Sequence, residues 1–454
     1  MSLDLTRPTR LHLVGIGGAG MSAIATVLAQ MGHAVSGSDL KASATVERLR
    51  GLGVTVAIGH DAANVAGAEH VGISSAVSSS NVELLEAHRR GVPVHARAEL
   101  LAAICATRRT LAVAGTHGKT TTSSMLALVL LEAGLSPSFI IGGEVNEIGT
   151  NAAFVEGEWL VVEADESDGT FLQLPAEVAV VTSVEPDHLE HFGSFAALTE
   201  GFAEFLRKAA GAVVCADDAG ARALAPEGAV TYGFSEGADY RVSDFTTGRA
   251  EIAFGLIGPE GDLGRFTLPV PGAHNARNAA AALAAARLLG ADPDAARRAL
   301  ARFAGVARRF QFRGEAGGVT FVDDYAHLPG EVAATLAAAR GGGWERLVCV
   351  FQPHRYSRTE SVGGDFGEAF VDADVVVITG IYGAGEAPRP GVSAKLVLDA
   401  VLNAHPETTA AYFPDRRELV GYLARLLRPG DCCLTLSAGD LTSLPDELLE
   451  VVTG

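Results

Sequence analysis

Leu111-Ala112-Val113-Ala114-Gly115-Thr116-His117-Gly118-Lys119-Thr120-Thr121-Thr122 reads as a strand, a glycine turn and the start of a helix. The four apolar residues Leu111–Ala114 predict a buried parallel strand, and the apolar run from Met125 to Leu131 predicts the helix. Gly115 and Gly118 permit a turn tight enough to curl backbone N–H groups inward, where they and the helix N-terminus face an anion. Such a loop offers a nucleotide Gly115, Thr116, His117, Gly118, Lys119, Thr120 and Thr121. Lys119 reaches the outer phosphates, and the Thr120 hydroxyl is placed for Mg²⁺. The usual spacing G-x-x-x-x-G-K-[ST] has glycine where this chain has Val113, so the loop is a variant. A glycine-rich turn with a surface lysine would account for the glycines, but not for strand, turn, Lys-Thr and helix arriving in order.

Working outward, 454 residues suggest roughly three domains at about 150 residues each. The net charge of −19 argues against a nucleic-acid surface, which would need a basic stripe. Cys105, Cys215, Cys349, Cys432 and Cys433 are odd in number and include no C-x-x-C pair, so neither a disulfide framework nor a zinc site is indicated. Met1–Arg10 lacks the apolar core of a signal peptide, and no long uncharged apolar run predicts a membrane span. A cytoplasmic protein that works without membrane or nucleic acid is expected.

Three αβ blocks follow one another, with boundaries placed at 1–107, 108–313 and 314–454. The first opens with Leu11–Val14 and Gly15-Ile16-Gly17-Gly18-Ala19-Gly20, then a helix to about Met31 and a strand from His33 to Ser38 that ends at Asp39. Further strand-like runs lie near Val54, Val71 and Val92–His95. In the second block, Trp159–Ala164 and Val178–Val184 are near-continuous apolar runs, the pattern of parallel strands buried on both faces. Residues 230–270 alternate in short stretches and predict antiparallel strands at a sheet edge, before alanine-rich helices near 276–290 and 293–304. The third block alternates helices with strands at Val319–Val322, Leu347–Phe351, Val375–Thr379 and Cys432–Leu436.

Gly15, Gly17 and Gly20 fit G-x-G-x-x-G after a strand, and Asp39 stands where a dinucleotide fold keeps its ribose carboxylate. What the loop recognises physically is a diphosphate, and UDP carries one as NAD does. Two phosphate cradles in one chain suggest two nucleotides, one as energy source and one as the handle on a substrate. Trp159–Asp168 ends a strand in four carboxylates, with Glu163 at the tip as the best Mg²⁺ ligand and the others open to a structural reading. Glu185-Pro186-Asp187-His188 repeats the pattern, placing Asp187 and His188 for a second metal ion. Asn275 and Asn278 either cap the alanine-rich helix or read a base edge. Arg355 and Arg358 flank a histidine and make a plausible carboxylate fork. Arg308 and Arg309 stand at a block boundary, where a phosphate-sensing arginine would couple closure to ATP.

Gly15–Met21 (GIGGAGM), Gly115–Thr122 (GTHGKTTT), Glu163–Asp168 (EADESD), Glu185–His188 (EPDH), His274–Asn278 (HNARN), Arg308–Gln311 (RRFQ), Asp323–His327 (DDYAH) and Phe351–Arg358 (FQPHRYSR) together resemble the Mur ligase family. The resemblance runs through nearly the whole chain in order. It implies an α/β fold of three domains: an N-terminal Rossmann-like domain for a UDP-substrate, a central P-loop ATPase-type domain with a mostly parallel sheet, and a C-terminal Rossmann-like domain for the amino acid. The implied activity is ATP-dependent ligation of L-alanine to UDP-N-acetylmuramate through an acyl phosphate, in peptidoglycan precursor synthesis, by a monomer or homodimer using Mg²⁺. A sibling activity, recycling a whole peptide onto UDP-N-acetylmuramate, is the alternative.

Carried onto this chain, the resemblance implies that Gly15, Gly17, Gly18, Ala19, Gly20, Asp39 and Ser75 hold the UDP-substrate. ATP falls to Gly115–Thr121, Asn275, Asn278 and Arg309, the metal to Thr120, Glu163 and His188. Tyr325, His327, Arg355 and Arg358 take the amino acid, and Lys119, His188, His327 and Arg355 act in catalysis. Leu328 and Gly330 replace His and Thr of the family's D-D-Y-x-H-H-P-T-E, and Ser183 replaces Asn of T-N-x-E-x-D-H. An NAD dehydrogenase would leave the second phosphate loop unexplained. A regulatory nucleotide-binding protein would leave DDYAH and HRYSR without a purpose.

Overall fold

The computed structural model describes residues 3–74 and 76–453. Three sheets organise them, with five, ten and six strands. In the first, the strands run Thr55–Ile58, Ala34–Asp39, Arg10–Val14, His70–Ile73, Val94–Ala96 across the sheet, and every pairing is parallel. The strand order reverses beside Arg10–Val14, and ligands of open parallel sheets bind outside the carboxyl ends at such a point. Gly15–Gly20 occupies that place, between Arg10–Val14 and the helix Ala19–Gln30. Gly15 turns the chain there at φ +73°, a conformation glycine adopts without steric cost.

The ten-stranded sheet has Arg109–Ala114 at its heart, flanked in parallel by Trp159–Glu163 and Val178–Val181. Leu111–Ala114, Leu160–Val162 and Val178–Val181 are all buried, as apolar runs covered on both faces should be. The run from Val178 leaves the sheet at Val181, earlier than its apolarity predicts. Thr182 and Ser183 turn instead onto the phosphate loop: the Thr182 hydroxyl donates to the carbonyl of His117 (2.5 Å), and the Ser183 carbonyl accepts the Thr116 N–H (3.0 Å). Ser138–Val145 and Thr150–Ala153 form an edge that periodicity did not reveal.

Residues 230–270 do supply edge strands, Val230–Gly233, Tyr240–Thr247, Ile252–Gly258 and Gly261–Leu268, but the first two pair in parallel through Tyr232↔Tyr240 and Gly233↔Arg241. Asp217 accepts the N–H groups of Phe234 and Ser235, and Asp239 accepts that of Thr231, folding the intervening turn so that the chain re-enters in the same direction. The short connections further on, 248–251 and 259–260, are of hairpin length.

In the six-stranded sheet the order is Gln311–Ala316, Val319–Asp324, Asp431–Leu436, Arg346–Phe351, Val375–Ile378, Thr409–Tyr412. Only Gln311–Ala316, not foreseen as a strand, is antiparallel to its neighbour; the other pairings are parallel. Compactness divides the chain into two units. One holds the residues up to Ser243 with Gly255–Phe266 and Arg277–Phe303; the other holds Asp244–Phe254, Thr267–Ala276 and the chain from Ala304. All five cysteines are buried thiols, and no described helix is long and apolar enough to cross a membrane.

Candidate active site

The loop after Arg109–Ala114 is a cradle shaped by its glycines. Gly115 has φ +129°, and a β-carbon there would collide with the Thr182 hydroxyl and the backbone of Ser183. Gly118 has φ +80° and precedes the helix Lys119–Glu132; a β-carbon on it would lie 2.7 Å from Oδ1 of Asn278. Asn278 therefore stands against the loop. Asn275 donates its amide to the Pro271 carbonyl (2.7 Å) within its own turn.

Lys119 arches back over the loop, donating to the carbonyl of Gly115 (2.6 Å) and to the Glu166 carboxylate (2.8 Å). Burial pulls its pKa down, but Glu166, Asp165 and Glu163 outweigh that and raise it, so the ammonium stays charged. Thr120 Oγ1 donates to Glu163 Oε1 (3.0 Å), and Glu163 Oε2 accepts the Gly142 N–H (2.6 Å). A hydroxyl and a carboxylate so close, beside the buried Glu166 Oε2 that no hydrogen bond reaches among the described residues, suit a hard divalent cation. Among the described residues, no group of three or more His, Cys, Asp or Glu side chains is placed to hold a metal ion.

His188 lies beside two carboxylates, Asp187 and Glu166. Its Nε2 lies 3.2 Å from Asp187 Oδ2 and 3.9 Å from Glu166 Oε1. Its backbone is left-handed at φ +52°, strain of a kind that collects at functional sites. Glu166 is the residue whose importance sequence reasoning missed. It was one of four carboxylates, and only its burial at 1% exposure against Lys119 singles it out.

At the first cradle, Gly15 and Ile16 donate their N–H groups to the Ser38 carbonyl, and Gly17 donates to Asp39 Oδ2 (2.9 Å). Asp39 thus shapes the loop, a use of its carboxylate beyond the ribose role predicted for it. Gly18 and Ala19 lead into the helix, and Ser75 lies outside the described residues. Arg97, also missed, heads the helix that follows the last strand of this sheet. Its Nη2 donates to Asp168 Oδ2 (2.8 Å) and lies 3.5 Å from Asp165 Oδ2. The acidic segment Glu163–Asp168 therefore touches Thr120 and Lys119 at one end and Arg97 at the other.

Within the second unit, the ends of Val319–Asp324 and Arg346–Phe351 bring Tyr325, His327, His354, Arg355 and Arg358 together. The rings of Tyr325 and His327 meet edge-on at 5.3 Å, and His327 meets His354 at 5.7 Å. His327 Nδ1 is 3.0 Å from the Tyr325 carbonyl and 3.2 Å from Glu331 Oε2, both acceptors, so Nδ1 carries a hydrogen there. Arg358 Nη1 donates to His354 Nδ1 (3.0 Å). Burial, then the charges facing it from His327, Arg358 and Arg355, push the His354 pKa down to about 3, leaving it neutral at physiological pH. Arg355 has φ +65° and ψ 140°, held there by its N–H to the Tyr382 carbonyl (2.8 Å) and its carbonyl to the Thr359 hydroxyl (2.8 Å). Arg308 and Arg309 both stack on Tyr325, at 4.9 and 5.2 Å from the ring centre, so Arg309 belongs structurally to this group.

Fold and site define an α/β protein of three domains with two glycine loops at the ends of parallel strands, one of them carrying the lysine and threonine of a P-loop. Three family patterns match in succession: "Mur ligase family, catalytic domain" over residues 10–109, "Mur ligase middle domain" over 113–286, and "Mur ligase, glutamate ligase domain" over 308–439. The chain belongs to the Mur ligase family. It is 46% identical, over the full length of both chains, to a UDP-N-acetylmuramate–L-alanine ligase of Anaeromyxobacter dehalogenans. It is 47% identical to the enzyme so named in Rubrobacter xylanophilus, covering 97% of this chain and 99% of that one. The crystal structure of a UDP-N-acetylmuramate–alanine ligase from Thermotoga maritima superposes with a TM-score of 0.81 at 30% identity, covering 97% of this chain and 98% of the other.

Proposed function

We propose that this chain joins L-alanine to UDP-N-acetylmuramate with cleavage of ATP to ADP and phosphate, in the cytoplasm, as a step of peptidoglycan precursor synthesis. One observation carries the reading: the segment Glu163–Asp168 contacts the P-loop through Thr120 and Lys119 and, through Arg97, the helix beside the first glycine loop. Two nucleotide cradles sharing one acidic strap suit an enzyme that phosphorylates a nucleotide-borne carboxylate. Domain limits at 1–107, 108–313 and 314–454 fit this division of labour.

A carboxylate resists attack by an amine until it has a leaving group. A carboxylate oxygen of the muramyl group attacks the γ-phosphorus, ADP departs, and the acyl phosphate forms. Lys119 offsets the charge on the outer phosphates, and the N-terminus of the helix it begins holds them in line. Mg²⁺, when bound by Thr120 and Glu163 with His188 nearby, supplies further charge neutralisation at those phosphates. Arg355 and Arg358 grip the alanine carboxylate, and Nε2 of His327 accepts a proton from its ammonium. The amine nitrogen then attacks the acyl carbon, phosphate leaves, and the amide remains. Phosphate release should require UDP-N-acetylmuramate, ATP, Mg²⁺ and an amino acid together, fastest with L-alanine among Ala, Ser and Gly. Release with no dependence on the UDP-sugar would refute the reading.

A further inference from the structure

Arg97 has no part in the phosphoryl-transfer step, yet the fold aims it at the first cradle. Register places Val14 opposite Ile73 and Ile73 opposite Ala96, so Gly15 and Arg97 each stand one residue beyond the same level of three neighbouring parallel strands. A β-carbon on Gly20 would lie 3.3 Å from Arg97 Nη1. The Arg97 side chain is 23% exposed and lines a cleft of about 210 Å³ with Ala19, Gly20, Ile140, Glu163 and Asp165. Its hydrogen bonds to Asp168 and Thr170 all come from Nη2, so no described acceptor takes the Nε or Nη1 hydrogens.

We propose that Arg97 binds the diphosphate of the nucleotide substrate through its Nε–Nη1 edge, with Asp168 holding the guanidinium in orientation. This rests on reading Gly15–Gly20 as the cradle of that substrate. A guanidinium is a rigid fork whose two edges serve different partners at once, which an ammonium cannot imitate. Its charge also favours an anion in a cleft whose other charged lining residues, Glu163 and Asp165, are carboxylates.

The test is calorimetry on the full chain with two probes, UDP and UDP-N-acetylmuramate, alongside melting temperatures. Arg97→Met should weaken UDP binding roughly 10- to 100-fold, with Arg97→Lys intermediate. Asp168→Asn should cost less than Arg97→Met, since the arginine remains, and ATP-analogue binding should change by no more than about twofold. If Arg97→Met lowers the melting temperature but binds UDP as the wild type does, the arginine is only a strut. Weakening confined to UDP-N-acetylmuramate would mean that the contact is to the sugar's carboxylate, which also overturns the proposal. Failure of the wild type to bind UDP at all would instead overturn the cradle reading, and the proposal with it.

Discussion

At Lys119, one ammonium answers three needs: it closes over the Gly115 carbonyl, it pairs with buried Glu166, and it carries the charge that phosphates would meet. Lys119→Ala should abolish ligation while far-ultraviolet circular dichroism stays native; near wild-type turnover by the folded variant would sink the ATPase assignment. Arg358 tests the other end of the reaction. Arg358→Ala removes a charge-assisted contact of about 1.5–3 kcal/mol, so the KM for alanine should rise roughly 10- to 150-fold. Those for ATP and UDP-N-acetylmuramate should move much less. A rise in the ATP constant alone would mean that these arginines serve phosphate. The two departures from the family motif have local substitutes. Ser183 Oγ accepts the His117 N–H (2.9 Å), so serine still ties down the phosphate loop. Gly330 offers no side chain to the start of helix Pro329–Arg340, and Glu331 instead accepts the N–H groups of His327 (3.0 Å) and Leu328 (3.2 Å).

Among the elements, the first glycine loop rests on a polar knot beneath it. Ser38, whose carbonyl receives Gly15 and Ile16, donates its hydroxyl to Glu83 (2.5 Å), which also accepts from Asn64 (2.6 Å) and faces His12 and His60. Burial alone would raise the Glu83 pKa, but His12, Ser38 and Asn64 outweigh it and hold it at about 2. Because the folded value lies below the unfolded one, the ionised carboxylate stabilises the protein above about pH 4.5, and that contribution fades as the pH falls toward 2. Glu83→Gln should therefore be less stable than wild type at pH 7, by on the order of 3 kcal/mol, with the gap closing on acidification. A gap in denaturant midpoint independent of pH would show that Glu83 is held by shape and not by charge. No periodicity announces such a knot: Glu83 reads as an ordinary helix residue until the strand carrying Ser38 packs over it.

Across the whole molecule, what was legible was whatever one segment determines by itself. Apolar runs marked the central strands of all three sheets, and Gly15 and Gly118 marked the cradles because their φ values admit little else. Elements defined by distant partners stayed hidden. The edge Ser138–Val145 reads as a strand only beside Trp159–Glu163. Glu166 and Arg97 acquire meaning from Lys119 and Asp168, 47 and 71 residues away. If the two cradles cooperate to make an acyl phosphate, one oxygen atom passes from the sugar's carboxylate to phosphate. UDP-N-acetylmuramate labelled with ¹⁸O in its carboxylate should yield, on reaction with ATP and L-alanine, inorganic phosphate carrying one labelled oxygen, read by mass spectrometry. Unlabelled phosphate alongside newly formed amide would contradict the account.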